Sequence, residues 1–140
     1  MESLHLKHSG DNEKAPYLEF INTGTGANAG AIIFKKNSSS PADNDKMGRI
    51  ILQGTDDTNG TLEDFAEISF SSTDVTSGTE DSKIQFKTFA NGTLNNTFLI
   101  SSDKVGIGSN DPGTQLQVEG TEPYITLKNT SSENTDGGDS

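Results

Sequence analysis

The sequence predicts an all-β chain. Three observations predict it: pairs of apolar residues two positions apart that recur along the chain, connectors made almost wholly of turn-forming residues, and a shortage of large apolar side chains.

The apolar pairs define eight short segments. They are PYLEFIN (16–22), GAIIFKK (30–36), GRIILQG (48–54), FAEISFS (65–71), SKIQFKTF (82–89), NTFLIS (96–101), TQLQVEG (114–120) and PYITLKN (123–129). Their pairs are Leu18/Phe20, Ile32/Phe34, Ile50/Leu52, Ile68/Phe70, Ile84/Phe86, Phe98/Ile100, Leu116/Val118 and Ile125/Leu127. Residues two apart on a strand share a face, so each segment has a dry face two side chains wide. The neighbouring positions are mostly polar, as at Glu19, Gln53, Ser69, Gln85, Gln117 and Thr126, and give a wet opposite face. Short strands at regular spacing suit a sandwich, a barrel, a β-helix or a β-prism. A stripe only two residues wide suits a thin shaft better than a thick sandwich core.

The connectors support strands over helices. NTGTGANAG (22–30), KNSSSPADNDKMG (36–48), GTDDTNGTLED (54–64) and SSTDVTSGTEDS (71–82) have no helical apolar period. Their Gly, Asn, Asp and Ser residues adopt turn conformations that other residues resist. Asn91-Gly92, between two strand-like runs, is a hairpin signal, and Asn59-Gly60 is a second one in a longer loop.

Composition then bears on whether one copy suffices. Hydrophobic residues make up 29% of the 140 positions, and mean hydropathy is -0.62. Fixing each residue's backbone costs about 1–2 kcal/mol, while burying one large apolar side chain returns about 1.5–3 kcal/mol. So few apolar residues leave two outcomes: disorder, or strands that find partners in other subunits. Disordered chains lack sustained period-2 alternation, so an ordered oligomer is expected.

The net charge of -11 opposes binding to nucleic acid or to anionic membrane, both of which need clustered Lys and Arg. The absence of Cys excludes disulfides and thiolate metal sites. No apolar run approaches the ~18 residues of a membrane span, and no signal peptide is evident.

An internal echo suggests repetition. APYLEFINTGTGANAG and EPYITLKNTSSENTDGG both run from Pro-Tyr through an apolar–polar–apolar strand and a later Asn-Thr to a small-residue loop. Pro16 and Pro123 begin the two copies, about 107 residues apart. The expected organisation is an N-terminal segment (1–13), a β-rich fibre repeat (14–120) and the start of a second, truncated repeat (121–140).

At this echo, and at KVGIGSNDPGTQLQVEG (104–120), the chain resembles the repeated modules of tailed-phage tail fibres, marine and cyanophage-like ones in particular. The resemblance rests on Val105, Gly106, Ile107, Gly108, Pro112, Leu116, Val118 and Gly120, with Ser109 where Thr is commoner, and on LKNTSSENTDGG (127–138). Together these cover about 40 residues. The resemblance implies an elongated, intertwined homotrimer of β-helix or β-prism type. It also implies placement in an extracellular virion fibre, among other virion tail proteins, as a shaft or a receptor-contacting element. Host surface glycans or proteins would meet its loops. The residues expected to hold such an assembly together are Ile32, Phe34, Ile50, Leu52, Ile68, Phe70, Ile84, Phe86, Ile107, Leu116 and Val118. The alternative is a monomeric carbohydrate-binding β-sandwich; a polysaccharide depolymerase segment ranks below both.

Candidate chemistry is sparse, and the expectation is of no enzyme, no cofactor, no catalytic residue and no metal site. His5 and His8 stand on opposite sides of a strand-like segment and have no further His or Cys for zinc. Asp43/Asp45, Asp56/Asp57 and Glu63/Asp64 are acidic loop clusters that read as solvated, since none fits a calcium-loop pattern. Gly106 and Gly108 flank Ile107 without the third Gly, helix or Lys-Ser/Thr of a phosphate loop, and suit a close backbone approach near a shared axis or a tight bend. A glycosidase needs two carboxylates about 5–10 Å apart and favours aromatic platforms. The chain has no Trp, and its two Tyr residues, Tyr17 and Tyr124, hold equivalent places in the echo.

Overall fold

The computed structural model describes Leu4, Leu6, Lys7 and residues 18–27, 29–58 and 60–128. The chain divides into two units, Met1–Phe34 and Lys35–Ser140. The second holds a six-stranded mixed sheet and, among the described residues, no helix.

The strands are β1 (Lys46–Thr55), β2 (Leu62–Asp74), β3 (Asp81–Ala90), β4 (Thr93–Ser101), β5 (Lys104–Ile107) and β6 (Leu116–Val118). They lie in the sheet in chain order. β1 to β5 form an antiparallel meander, and β6 joins β5 in parallel.

Tight turns close the meander. Ala90 pairs with Thr93, and the two residues between them both take positive φ, 50° at Asn91 and 75° at Gly92. That is the twist-matched two-residue hairpin expected of Asn-Gly. The β4–β5 turn is equally short, with Ser101 paired to Lys104 and Ser102 at a φ of 52°. Between β2 and β3, the Asp74 carboxylate accepts from Thr76 N at 2.7 Å and Thr79 N donates to Thr76 O at 3.0 Å.

The β5–β6 connection is short for a parallel crossover, which ordinarily takes a dozen residues or more. Two glycines permit it. A Cβ on Gly106 would stand 2.7 Å from the Ser109 carbonyl oxygen. Gly108 has a φ of 72°, and a Cβ there would collide with the Glu119 carbonyl oxygen. The close approach at the Gly-x-Gly segment is therefore made within the chain, by its own loop 108–115. Val105 N donates to Gln115 O at 2.8 Å, and Glu119 N to Ile107 O at 2.9 Å, which fixes β6 in register.

β1 to β4 and β6 fall where the alternation predicts strands, and β5 is an addition. Three expected strands differ. The described parts of 16–22 and 123–129 and all of 30–36 form no strand. Alternation assigns side chains to faces, but a strand exists only where a neighbour accepts its backbone hydrogen bonds. Leu18, Ile32, Ile125 and Leu127 are all exposed. In the first unit, Asn22 closes a local turn by accepting from Gly24 N at 2.8 Å, and Phe20 lies against Gly30.

Candidate functional site

Register turns the separate apolar pairs into one surface. Ile50 lies across from Ile68, Ile68 from Phe86, Phe86 from Phe98, Phe98 from Ile107, and Ile107 from Val118. A second row runs Phe70, Ile84, Ile100, Val105, Leu116. All eleven side chains share a face, because cross-strand partners point the same way. Leu52 extends that face on β1, where it pairs with Ala66.

None of these twelve residues is buried. Ile50 is 42% exposed, Leu52 56% and Leu116 57%. Among the described residues Leu99, on the other face, is the single large hydrophobic that is buried. A soluble sheet ordinarily turns its apolar face inward; here it is the polar face that is shielded. Two surface grooves continue the apolar face. One, of about 420 Å³, is lined in part by Met47, Phe70, Val75 and Ile84. The other, of about 430 Å³, is formed by Leu116, Val118, Pro123, Tyr124 and Ile125. Of the residues expected to hold an assembly together, Ile50, Leu52, Ile68, Phe70, Ile84, Phe86, Ile107, Leu116 and Val118 thus come together, while Ile32 and Phe34 lie in the first unit.

The opposite face carries a paired charged cluster, although Ser69 Oγ and Thr73 Oγ1 are buried there without a hydrogen-bond partner among the described residues. Glu67 is 3% exposed and accepts from Lys87 Nζ at 2.7 Å and from Arg49 Nη1 at 3.1 Å. Burial pushes its pKa up, but the hydrogen bond and charge of Lys87, aided by Arg49, outweigh that and hold the carboxyl below its usual range. Gln85 Nε2 donates to Asn96 Oδ1 at 3.2 Å, and Asn96 Nδ2 to Asn110 Oδ1 at 2.6 Å, tying loop 108–115 onto this face. Sequence reading missed the three-charge cluster, since residues 49, 67 and 87 meet only through register.

The acidic clusters make local and cross-strand hydrogen bonds, and Glu63 and Asp64 lie within β2 rather than in a loop. Asp43 accepts from Val75 N at 3.0 Å. Asp45 pairs with Lys36 at 2.5 Å and accepts from Ala42 N; these hydrogen bonds, Lys36 foremost, lower its pKa. Asp56 accepts from Thr61 N at 3.3 Å, Asp57 from Thr58 Oγ1, and Asp64 from Gln53 Nε2 at 2.7 Å. Among the described residues no three His, Asp or Glu gather as a metal site. Tyr124 is 82% exposed. His5, His8, Tyr17, Asn59 and residues 129–140 lie outside the described residues.

Contiguous exposed apolar patches of this kind are a common feature of contact surfaces. No family model matches this chain, and no curated protein matches it.

Proposed function

We propose that this chain is a structural segment of an elongated, intertwined homotrimeric fibre, of the kind that forms a shaft or a receptor-contacting element in a viral tail. It acts mechanically. Its copies complete one another's interior, and its polar loops face outward, able to meet host glycans or proteins. The observation that supports this reading is an apolar face two side chains wide that spans six strands and has none of its residues buried, on a sheet whose one buried large hydrophobic among the described residues is Leu99. The resemblance of the VGIG-type segment and the Pro-Tyr echo to tail-fibre modules supports the same reading.

Light scattering on the purified chain tests it. Three chain masses are expected. A single chain mass would favour the carbohydrate-binding β-sandwich, which a glycan-binding assay would then examine. Release of reducing ends from capsular polysaccharide would instead point to a depolymerase.

A further inference from the structure

We propose that Asn91-Gly92, at the tip of the β3–β4 hairpin, is a site of spontaneous covalent modification. In the folded chain Asn91 loses ammonia through a cyclic imide and becomes a mixture of aspartate and isoaspartate, which loosens the hairpin. The proposal stands on this turn alone and does not depend on the fibre reading.

The turn leaves the reacting atoms uncovered. Ala90 pairs with Thr93, so the ladder closes beside the turn and leaves the Asn91–Gly92 peptide unit outside it. Among the described residues, neither the Asn91 carbonyl nor the Gly92 amide is hydrogen-bonded. Both residues are exposed, and a Cβ on Gly92 would meet nothing within 4 Å. The Gly92 nitrogen is therefore open to base from solvent, and no side chain of its own screens it.

The backbone angles supply a route to ring closure. The φ values of 50° and 75° are those of a type I′ turn. Such a turn holds ψ of its first central residue at about +30°, whereas type II′ holds it at about −120°. The two differ by rotation of the central peptide unit, which here breaks no ladder hydrogen bond. Rotation swings the Gly92 nitrogen onto the side of the Cα–C bond that carries Cβ, within reach of Asn91 Cγ. Gly92 must pass to negative φ, which glycine does freely. Type II′ favours glycine at its first central position, so the rotated state is a minor one and the conversion is slow.

The same geometry separates Asn91 from other asparagines. Asn44 accepts from Lys83 Nζ, Asn95 donates to Thr93 O, and Asn96 is held by both Gln85 and Asn110. Among the described asparagines, Asn91 alone combines a side chain without a hydrogen bond with a following glycine.

The atoms balance without oxidant or reductant. The Gly92 nitrogen gives up its proton to base and bonds to Asn91 Cγ. The Cγ–Nδ2 bond breaks, and Nδ2 leaves as ammonia with a proton returned from solvent. Water then opens the imide at either carbonyl. Opening at Cγ gives aspartate. Opening at the main-chain carbonyl gives isoaspartate, whose main chain runs through Cβ and Cγ and is one methylene longer. Either product adds one negative charge to the net -11. The longer product no longer fits a two-residue turn, so Ala90 and Thr93 lose their pairing.

Peptide mapping by mass spectrometry tests this on the full chain, incubated folded at neutral and at mildly alkaline pH, with isoaspartate scored by isoaspartyl methyltransferase labelling. Loss of ammonia at Asn91 is expected, with isoaspartate among the products and a rate that rises with pH. Asn96 and Asn110 should keep their amides, and Asn91→Gly, whose Gly-Gly pair suits the same turn, should give no such product in that peptide. Amide exchange at Thr93 should rise in the converted fraction, while the Ser101–Lys104 turn keeps its protection. An intact Asn91 in the folded chain, with conversion in the same chain in urea, would overturn the proposal. So would equal conversion of Asn96 and Asn110, aspartate with no isoaspartate, or unchanged exchange at Thr93 after conversion.

Discussion

Phe86 of β3 meets Phe98 of β4 edge to face, with ring centroids 5.5 Å apart and planes at 68°, while Phe86 stays 37% exposed. Such a pair is worth about 0.5–1.5 kcal/mol beyond its buried area, yet it stands at the centre of a face its own chain leaves open. Placing a charge there should be costly only once other copies cover it. Phe86→Asp and Ile68→Asp are each expected to abolish the oligomer in light scattering. A soluble oligomer of wild-type mass from either variant would count against a buried stripe.

The buried carboxylate makes a separate prediction about the sheet itself. Glu67→Gln removes the charge between Lys87 and Arg49 and leaves two cations facing one another. Losing charge-assisted hydrogen bonds costs about 1.5–3 kcal/mol. Arg49 is partly exposed and can turn to solvent, so about 2 kcal/mol is expected. Urea denaturation of wild type and variant measures it, and equal midpoints would mean the cluster adds nothing.

The same residue sets a pH dependence. Its folded-state pKa is lowered from an ordinary value of 4.5, so the folded protein favours the ionised form. The resulting stability is fully present above that ordinary value and is lost as pH falls through the lower, folded-state value. Asp45 and Asp74 shift in the same direction through local hydrogen bonds, to Lys36 and to the Thr76 amide, but they lie at the surface. The stability gap between wild type and Glu67→Gln should therefore hold at neutral pH and shrink on acidification below pH 4.5. A gap that stays constant into strong acid would assign the effect to packing rather than charge.

Gly108 tests the crossover. Gly108→Ala forces a side chain into a positive-φ position and against the Glu119 carbonyl. Backbone strain of this kind costs about 1–3 kcal/mol. Amide exchange should rise at Glu119 and along β6, while β2 and β3 keep their protection. Unchanged exchange at Glu119 would show that the loop accommodates the methyl group.

Much of this sheet was legible because period-2 alternation is a direct record of facing. Ile68/Phe70 and Ile84/Phe86 give the strands and their dry side at once, and Asn91-Gly92 gives the turn between β3 and β4. β5 was hidden because four residues containing Gly106 are too short for a pattern to emerge. The segments around Leu18/Phe20, Ile32/Phe34 and Ile125/Leu127 alternate just as clearly but form no strand among the described residues, since alternation says nothing about whether a strand neighbour exists. The Arg49–Glu67–Lys87 cluster could not be read at all. It depends on register, which bulges after Leu52 and Phe86 shift along the strands. The glycines at 106 and 108 were rightly read as a close approach, but a shared axis and the chain's own Ser109 make the same demand for a missing Cβ.

On the proposed reading, a lone copy cannot bury its apolar side and other copies cover it. Thermal unfolding measured over a hundredfold range of chain concentration tests this most directly, because association coupled to folding makes the midpoint depend on concentration. The expected midpoint climbs with concentration. A sharp transition at one fixed temperature throughout, from a species with the mass of one chain, would contradict it.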